Sequence, residues 1–144
     1  MKSEPDELSI DDLRKIKRSP WTGVRGYQAR NFMRDEMTIG DMVIFYHSSV
    51  MPAGPAGIAK VASLPYPDHT QFDTGSKYFD PKATKEKPRW FMVDVSFVKK
   101  FPRVISRDEL RNVSALKGVM LWTHARLSII PLTKKEFDAI LDLL

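Results

Sequence analysis

The chain has 144 residues, of which 42% are hydrophobic and 28% charged, and a net charge of +5. One domain spanning residues 1–144 fits that length, and the composition fits a folded globular protein rather than a disordered or membrane one. Cysteine is absent, which excludes disulfides, thiolate metal ligands and cysteine nucleophiles together.

No apolar run approaches bilayer length and no basic-then-apolar leader opens the chain. The expected location is therefore the cytoplasm, or the nucleus in a eukaryote. Residues 1–5 read as a short first strand closed by Pro5, which cannot continue a ladder or a helix. Ser9 with Asp12 forms a capping box for a short helix carrying Ile10, Leu13 and Ile16 on one side, and Ser19-Pro20 stops it.

Next comes Trp21-Thr22-Gly23-Val24-Arg25-Gly26-Tyr27-Gln28-Ala29-Arg30-Asn31, which sets two large aromatics among cations, amides and glycines with no carboxylate. Trp21 and Tyr27 offer stacking faces, Arg25 and Arg30 offer forks of donors, and Gln28 and Asn31 both donate and accept. A flat, polar ligand such as a nucleobase needs that set. A helix drawn from about Tyr27 puts Ala29, Phe32 and Met33 on one side and Tyr27, Arg30, Asn31 and Arg34 on the other. The alternative is that the aromatics are core anchors and the arginines a solvated face.

Seven cations and no acid lie between positions 14 and 34: Arg14, Lys15, Lys17, Arg18, Arg25, Arg30 and Arg34. Interleaved with Trp21 and Tyr27, they are expected to hold phosphates. A second basic cluster, Lys77, Lys82, Lys85, Lys87 and Arg89, is diluted by Asp80 and Glu86.

Residues 42–46 form a nearly continuous apolar run, the pattern of a strand buried on both faces. Residues 48–57 read as a loop, 57–64 as the returning strand, and 65–88 as a long polar loop of the kind that is functional or mobile. Residues 89–100 alternate, with Phe91, Val93, Val95 and Phe97 on one face and Trp90, Met92, Asp94 and Ser96 on the other. Ser106 with Glu109 caps a further helix, and residues 126–130 read as a strand ended by Pro131. Thr133 with Glu136 caps a last helix whose Phe137, Ile140, Leu141 and Leu144 would seal the core. Helices and strands are mixed rather than regularly alternating, which favours an α+β fold, a curled sheet or small barrel with flanking helices.

The three histidines, His47, His69 and His124, stand far apart, so no metal site is expected. A phosphate-cradling glycine loop and a nucleophile elbow are both missing, so no cofactor is expected either. His47 reads equally as a strand-end imidazole bonded to backbone and as a pocket wall.

Met1-Lys2-Ser3-Glu4-Pro5, the 21–31 stretch, Phe45-Tyr46-His47-Ser48, Pro88-Arg89-Trp90-Phe91-Met92-Val93-Asp94 and Arg126-Leu127-Ser128 together resemble the EVE domain family. The resemblance runs from the first residue to the last predicted strand. It implies a PUA-like mixed β-barrel with flanking short helices, related to YTH domains, which enclose methylated adenine in an aromatic cage, and to RNA-binding ASCH and PUA domains. It also implies recognition of modified bases in DNA or RNA. Carried onto this sequence, it draws the base pocket from Ser3 and Glu4, from Trp21, Gly23, Val24, Tyr27, Gln28 and Asn31, and from Tyr46, His47 and Ser48. Trp90, Arg126 and Ser128 are further candidates, with Trp90 favoured as a structural residue and Arg126 able instead to pair with Asp94 or Glu4. Gly26 stands where the family usually has asparagine, and His124 near a position often glycine. The M-K-S-E-P motif opens the chain, which implies either a shorter first strand or a truncated start.

The expected function is a non-catalytic nucleic-acid reader that extrudes a modified base and holds it between aromatic walls. Two alternatives come from other classes: an enzyme acting on a base with Glu4 as general acid or base, and a sensor of free nucleosides. Glu4 would serve equally as a fixed acceptor for an exocyclic amine.

Overall fold

The computed structural model describes residues 1–144. Five strands, β1 (Lys2–Ser3), β2 (Arg18–Pro20), β3 (Met42–His47), β4 (Gly54–Val61) and β7 (Asp94–Lys100), form one sheet. Between β4 and β7 lies a separate ribbon of β5 (Tyr66–Pro67) and β6 (Phe91–Met92). The main sheet runs β1-β3-β4-β7-β2, with β1 parallel to β3 and the other pairs antiparallel, and it curls into a half-barrel. Short helices flank it: α1 (Ile10–Ile16), α2 (Tyr27–Asn31), α3 (Arg107–Arg111) and α4 (Lys134–Leu141).

The composition of β3 follows from its place. Val43 and Phe45 enter one core with Ile10, Leu13, Trp21 and Met33, while Ile44 and Tyr46 enter a second with Phe101, Ile105, Leu110 and Ile140. Side chains two apart share a face of a strand, so a strand with a core on each side reads as an unbroken apolar run.

All three capping boxes form with both halves present: Ser9 with Asp12, Ser106 with Glu109, and Thr133 with Glu136. On α2, Ala29 is buried, and the helix runs straight into a π-helical turn, Phe32–Glu36, that buries Met33.

Five expectations are corrected. Lys17, at a φ of 70°, ends α1 before Ser19-Pro20, and the next three residues become the edge strand β2. β4 begins at Gly54 rather than at residue 57, because a Cβ there would lie 1.8 Å from the Ile105 carbonyl oxygen and only glycine lets the two segments meet. The alternating run 89–100 breaks at Val93, whose carbonyl accepts from the Trp21 amide, leaving β6 in the ribbon and β7 in the main sheet. Residues 126–130 are not a strand: β1 is only two residues long, and the Lys2 amide donating to the Ser128 carbonyl is the one backbone bond joining them. Finally, Leu144 is 45% exposed and does not seal the core, although Ile140 does.

Candidate functional site

A cleft of about 650 Å3 lies beside β1, the loop after β2 and the end of β3. Lys2 and Ser3 of β1 line it, followed by Glu4, Glu7 and Leu8. The irregular stretch 21–26 supplies Trp21, Thr22, Gly23, Val24, Arg25 and Gly26. Tyr46 and Ser48 come from the end of β3, Lys77 and Tyr78 from the long loop, Arg107 from α3, and Arg126 and Ser128 from the chain beside β1.

The walls are held from behind. Asp68 is wholly buried, and its carboxylate accepts from the Gly23 amide at 2.8 Å, from the Thr70 amide at 2.8 Å and hydroxyl at 2.5 Å, and from Arg25 at 3.2 Å. Burial alone would push that carboxyl's pKa up, but these donors together hold it below the usual aspartate value. Arg25 also donates twice to the Tyr78 carbonyl, at 3.0 and 2.7 Å, fastening the long loop to the 21–31 stretch. Gly23 has a φ of +84°, and a Cβ on it would lie 2.6 Å from the Tyr78 ring, so that ring seats directly on the glycine. The Tyr78 hydroxyl in turn donates to Glu7, which also takes the Lys77 ammonium.

Trp21 is only 5% exposed and meets Phe45 edge-on at 5.5 Å, so it is a floor of the cleft and a core anchor at once. Tyr46 is likewise mostly buried; burial raises its hydroxyl's pKa, and Arg107 nearby pulls partly the other way. Glu4 is exposed, and its one side-chain partner is the Ser49 hydroxyl at 3.2 Å.

The EVE domain family matches residues 1–143, nearly every residue whose contacts have just been traced. The chain belongs to the EVE domain family. Human thymocyte nuclear protein 1 (THYN1) is 41% identical over 162 aligned positions, covering 99% of this chain and 72% of the human protein. A solved structure of a hypothetical protein from Leishmania major is 50% identical with a TM-score of 0.96, covering 99% of this chain and 90% of that one. The crystal structure of human THYN1 in complex with DNA containing 5-methylcytosine is 41% identical with a TM-score of 0.95, covering 99% and 94%. The fold is thus the PUA-like one of these proteins, an α+β half-barrel with short helices. No helix in it is long and apolar enough to cross a membrane, and no group of three or more His, Asp or Glu side chains is gathered for a metal.

Within this EVE domain, the residues expected at the pocket divide. Ser3, Glu4, Trp21, Gly23, Val24, Tyr46, Ser48, Arg126 and Ser128 line the cleft; Tyr27, Gln28, Asn31, His47 and Trp90 do not. Tyr27 stacks on Trp90 at 5.0 Å, with Arg30 4.7 Å over its ring and Arg89 on its hydroxyl. Trp90 is buried and donates its indole N–H to Asp80. Asn31 accepts from Arg30 and Arg34, and Gln28 is exposed beside them. His47 follows Phe45 on the α1 side of β3, where its Nε2 accepts the Ile10 amide at 3.1 Å. The aromatics gathered at the cleft are therefore Trp21, Tyr46 and Tyr78 rather than Trp21 with Tyr27.

The seven cations of positions 14–34 divide as well. Arg18 pairs with Asp94, Arg25 with Asp68 and Arg34 with Asp35, while Arg30 donates to Asn31 and to the Arg89 carbonyl. Arg14, Lys15 and Lys17 are exposed and carry no ion pair.

Sequence reasoning passed over Lys2, Glu7, Tyr78 and Arg107. The length of the loop 65–88 was the one signal pointing toward Tyr78. Lys2 stands beside Ser3 and Glu4 in the M-K-S-E-P motif, a signal available in the sequence, whereas Glu7 and Arg107 are lone polar residues that only the tertiary fold brings to the cleft.

Proposed function

We propose that the cleft holds a modified base extruded from a nucleic acid, and that the protein is a non-catalytic reader whose first-choice ligand is 5-methylcytosine in DNA. The observation that carries this is the likeness, at a TM-score of 0.95 over 99% of the chain, to human THYN1 complexed with 5-methylcytosine-containing DNA. The cleft's chemistry agrees. Three aromatic rings border it, Glu4, Ser3, Ser48 and Ser128 supply acceptors and hydroxyls, and cations outnumber carboxylates around the rim.

Extruding a base costs a few kcal/mol, which stacking at roughly 1–3 kcal/mol per base and two or three hydrogen bonds offset. Burying one methyl group contributes about 0.8 kcal/mol, or about fourfold in affinity. A single apolar contact to the methyl thus sets a discrimination of that size, and a larger one requires the cleft to penalise the unmodified base.

An exposed Glu4 held by one serine hydroxyl fits a fixed acceptor better than an acid-base catalyst, which needs a partner to tune it. The test is a pair of affinities for one oligonucleotide with and without a central 5-methylcytosine. Tighter binding of the methylated strand supports a reader. Equal affinities overturn it, and free nucleoside bound as tightly as the strand supports a sensor instead.

A further inference from the structure

Of the five arginines in the basic stretch 14–34, only Arg14 is free of a side-chain hydrogen bond or ion pair, and it does not line the cleft. The other four donate N–H groups to neighbouring side chains, Asp94, Asp68, Asn31 and Asp35. A different set of cations is free: Lys2, Arg107 and Arg126 line the cleft, and no ion pair reaches any of them. Lys2 has only the Ala125 carbonyl, at 3.4 Å.

Arg107 and Arg111 are held in an unusual way. Their guanidinium carbons lie 5.5 and 4.5 Å from the centre of the Trp122 ring, and the indole N–H is turned away to donate to the Leu116 carbonyl. A guanidinium held by a ring face keeps its N–H fork for another acceptor, whereas one held by a carboxylate does not. Of the carboxylates on the same helix, Glu109 is occupied by Arg103 and by the Ser106 cap, and Asp108 is exposed.

We infer that Lys2, Arg107 and Arg126, extended past Trp122 by Arg111, form the seat for the phosphate next to the base in the cleft. The assignment rests on the proposal that a nucleic acid occupies the cleft. Cations gathered without a carboxylate repel one another, and an anion bound among them recovers that cost. The effect is visible at Lys2, whose ammonium pKa is lowered by burial and by Arg107. A phosphate suits the group because its oxygens accept from a planar fork and a point charge together.

The test uses a single-stranded oligonucleotide with one central 5-methylcytosine, its unmodified counterpart, and a salt titration of each affinity. The variant is Arg107→Gln with Arg111→Gln, and the charge-matched control is Lys134→Gln with Lys135→Gln on α4. The expected result is a loss of about tenfold or more for both strands. The log–log salt slope should fall by roughly 0.7 per lost phosphate contact, with the methylation ratio unchanged and the control close to the original protein. An unchanged slope overturns the seat, as does a fall no larger than in the control. Polyglutamate competing as well as the unmodified strand overturns the choice of phosphate. Should the double variant not fold, Arg126→Gln, at an exposed side chain without a hydrogen bond, gives the same reading on one contact. A lost methylation preference in the original protein with an intact salt effect sinks the reader and keeps the seat. The converse keeps the reader and sinks the seat, and an oligonucleotide that does not bind at all sinks both.

Discussion

Residues 21–26 and 27–34 adjoin in sequence, and each brings an aromatic ring and at least one arginine, yet only the first group lines the cleft. The first is irregular chain, positioned residue by residue: the Trp21 amide on Val93, the Gly23 amide on Asp68, the Arg25 fork on Tyr78. The second is helical, so its rings and cations share a side by periodicity, and that side meets Arg89 and Trp90 from the far end of the long loop. Tyr27, Arg30 and Trp90 then satisfy one another as a stacked buttress. Aromatic and cationic side chains close in sequence are thus equally good material for a ligand wall and for an internal brace. What decides is which distant segment arrives to cover them.

Trp21→Ala should have the largest effect on this contrast. Truncating a buried aromatic costs roughly 3–5 kcal/mol, so calorimetry should show a large fall in melting temperature together with weakened oligonucleotide binding. Trp21→Phe keeps the core filled and isolates the binding effect. A folded Trp21→Phe protein with undiminished methylation preference would remove Trp21 from the base site. Asp68→Ala should follow closely, by about 3 kcal/mol, because it leaves the Gly23 and Thr70 donors and the Arg25 charge without their acceptor. Since the folded-state pKa of Asp68 lies below 3.8, its stabilisation is present above that pH and is lost on further acidification. Asp68→Asn should remove that part of the acid sensitivity.

Tyr27→Ala tests the other half. Losing the stack on Trp90 should lower stability by about 1 kcal/mol and leave oligonucleotide affinity unaltered. A tenfold loss of affinity in a folded Tyr27→Ala protein would erase the distinction between wall and brace. The smallest effect belongs to His47. Burial lowers its pKa below 6.5, with Asp11 and Asp12 opposing and Lys100 assisting. Its contribution is therefore full above pH 6.5 and declines as the pH falls toward the folded-state pKa, where protonation takes the acceptor from the Ile10 amide. His47→Gln should flatten the melting temperature across that window; an unchanged slope would mean another group titrates there.

Local signals were legible. The three capping boxes and β3 lie where their residues indicate, because a cap is settled within four positions and a doubly buried strand by its own composition. The motifs at residues 1–5, 21–31, 45–48, 88–94 and 126–128 marked the family, which the match over residues 1–143 shows. What stayed hidden was settled by partners. Arg18–Pro20 pairs with β7 although none of its residues is buried, and the apolar alternation of residues 126–130 feeds Leu127 and Ile129 into the core without a ladder. At the site, the alternation from Val43 through Phe45 already puts His47 opposite Tyr46, a signal available in the sequence. Arg107 gave none, since one arginine at a helix start looks like any other.

The Asp68 carboxylate joins positions 23 and 70 through a single side chain. The wall of the cleft and the base of the long loop therefore cannot loosen independently. In hydrogen exchange, the Gly23 and Thr70 amides should be released in one cooperative opening with a common free energy, although Gly23 and Asp68 are 45 positions apart in sequence. The loop, long and rich in turns, would then behave as part of the pocket's own folding unit rather than as a flap hung beside it.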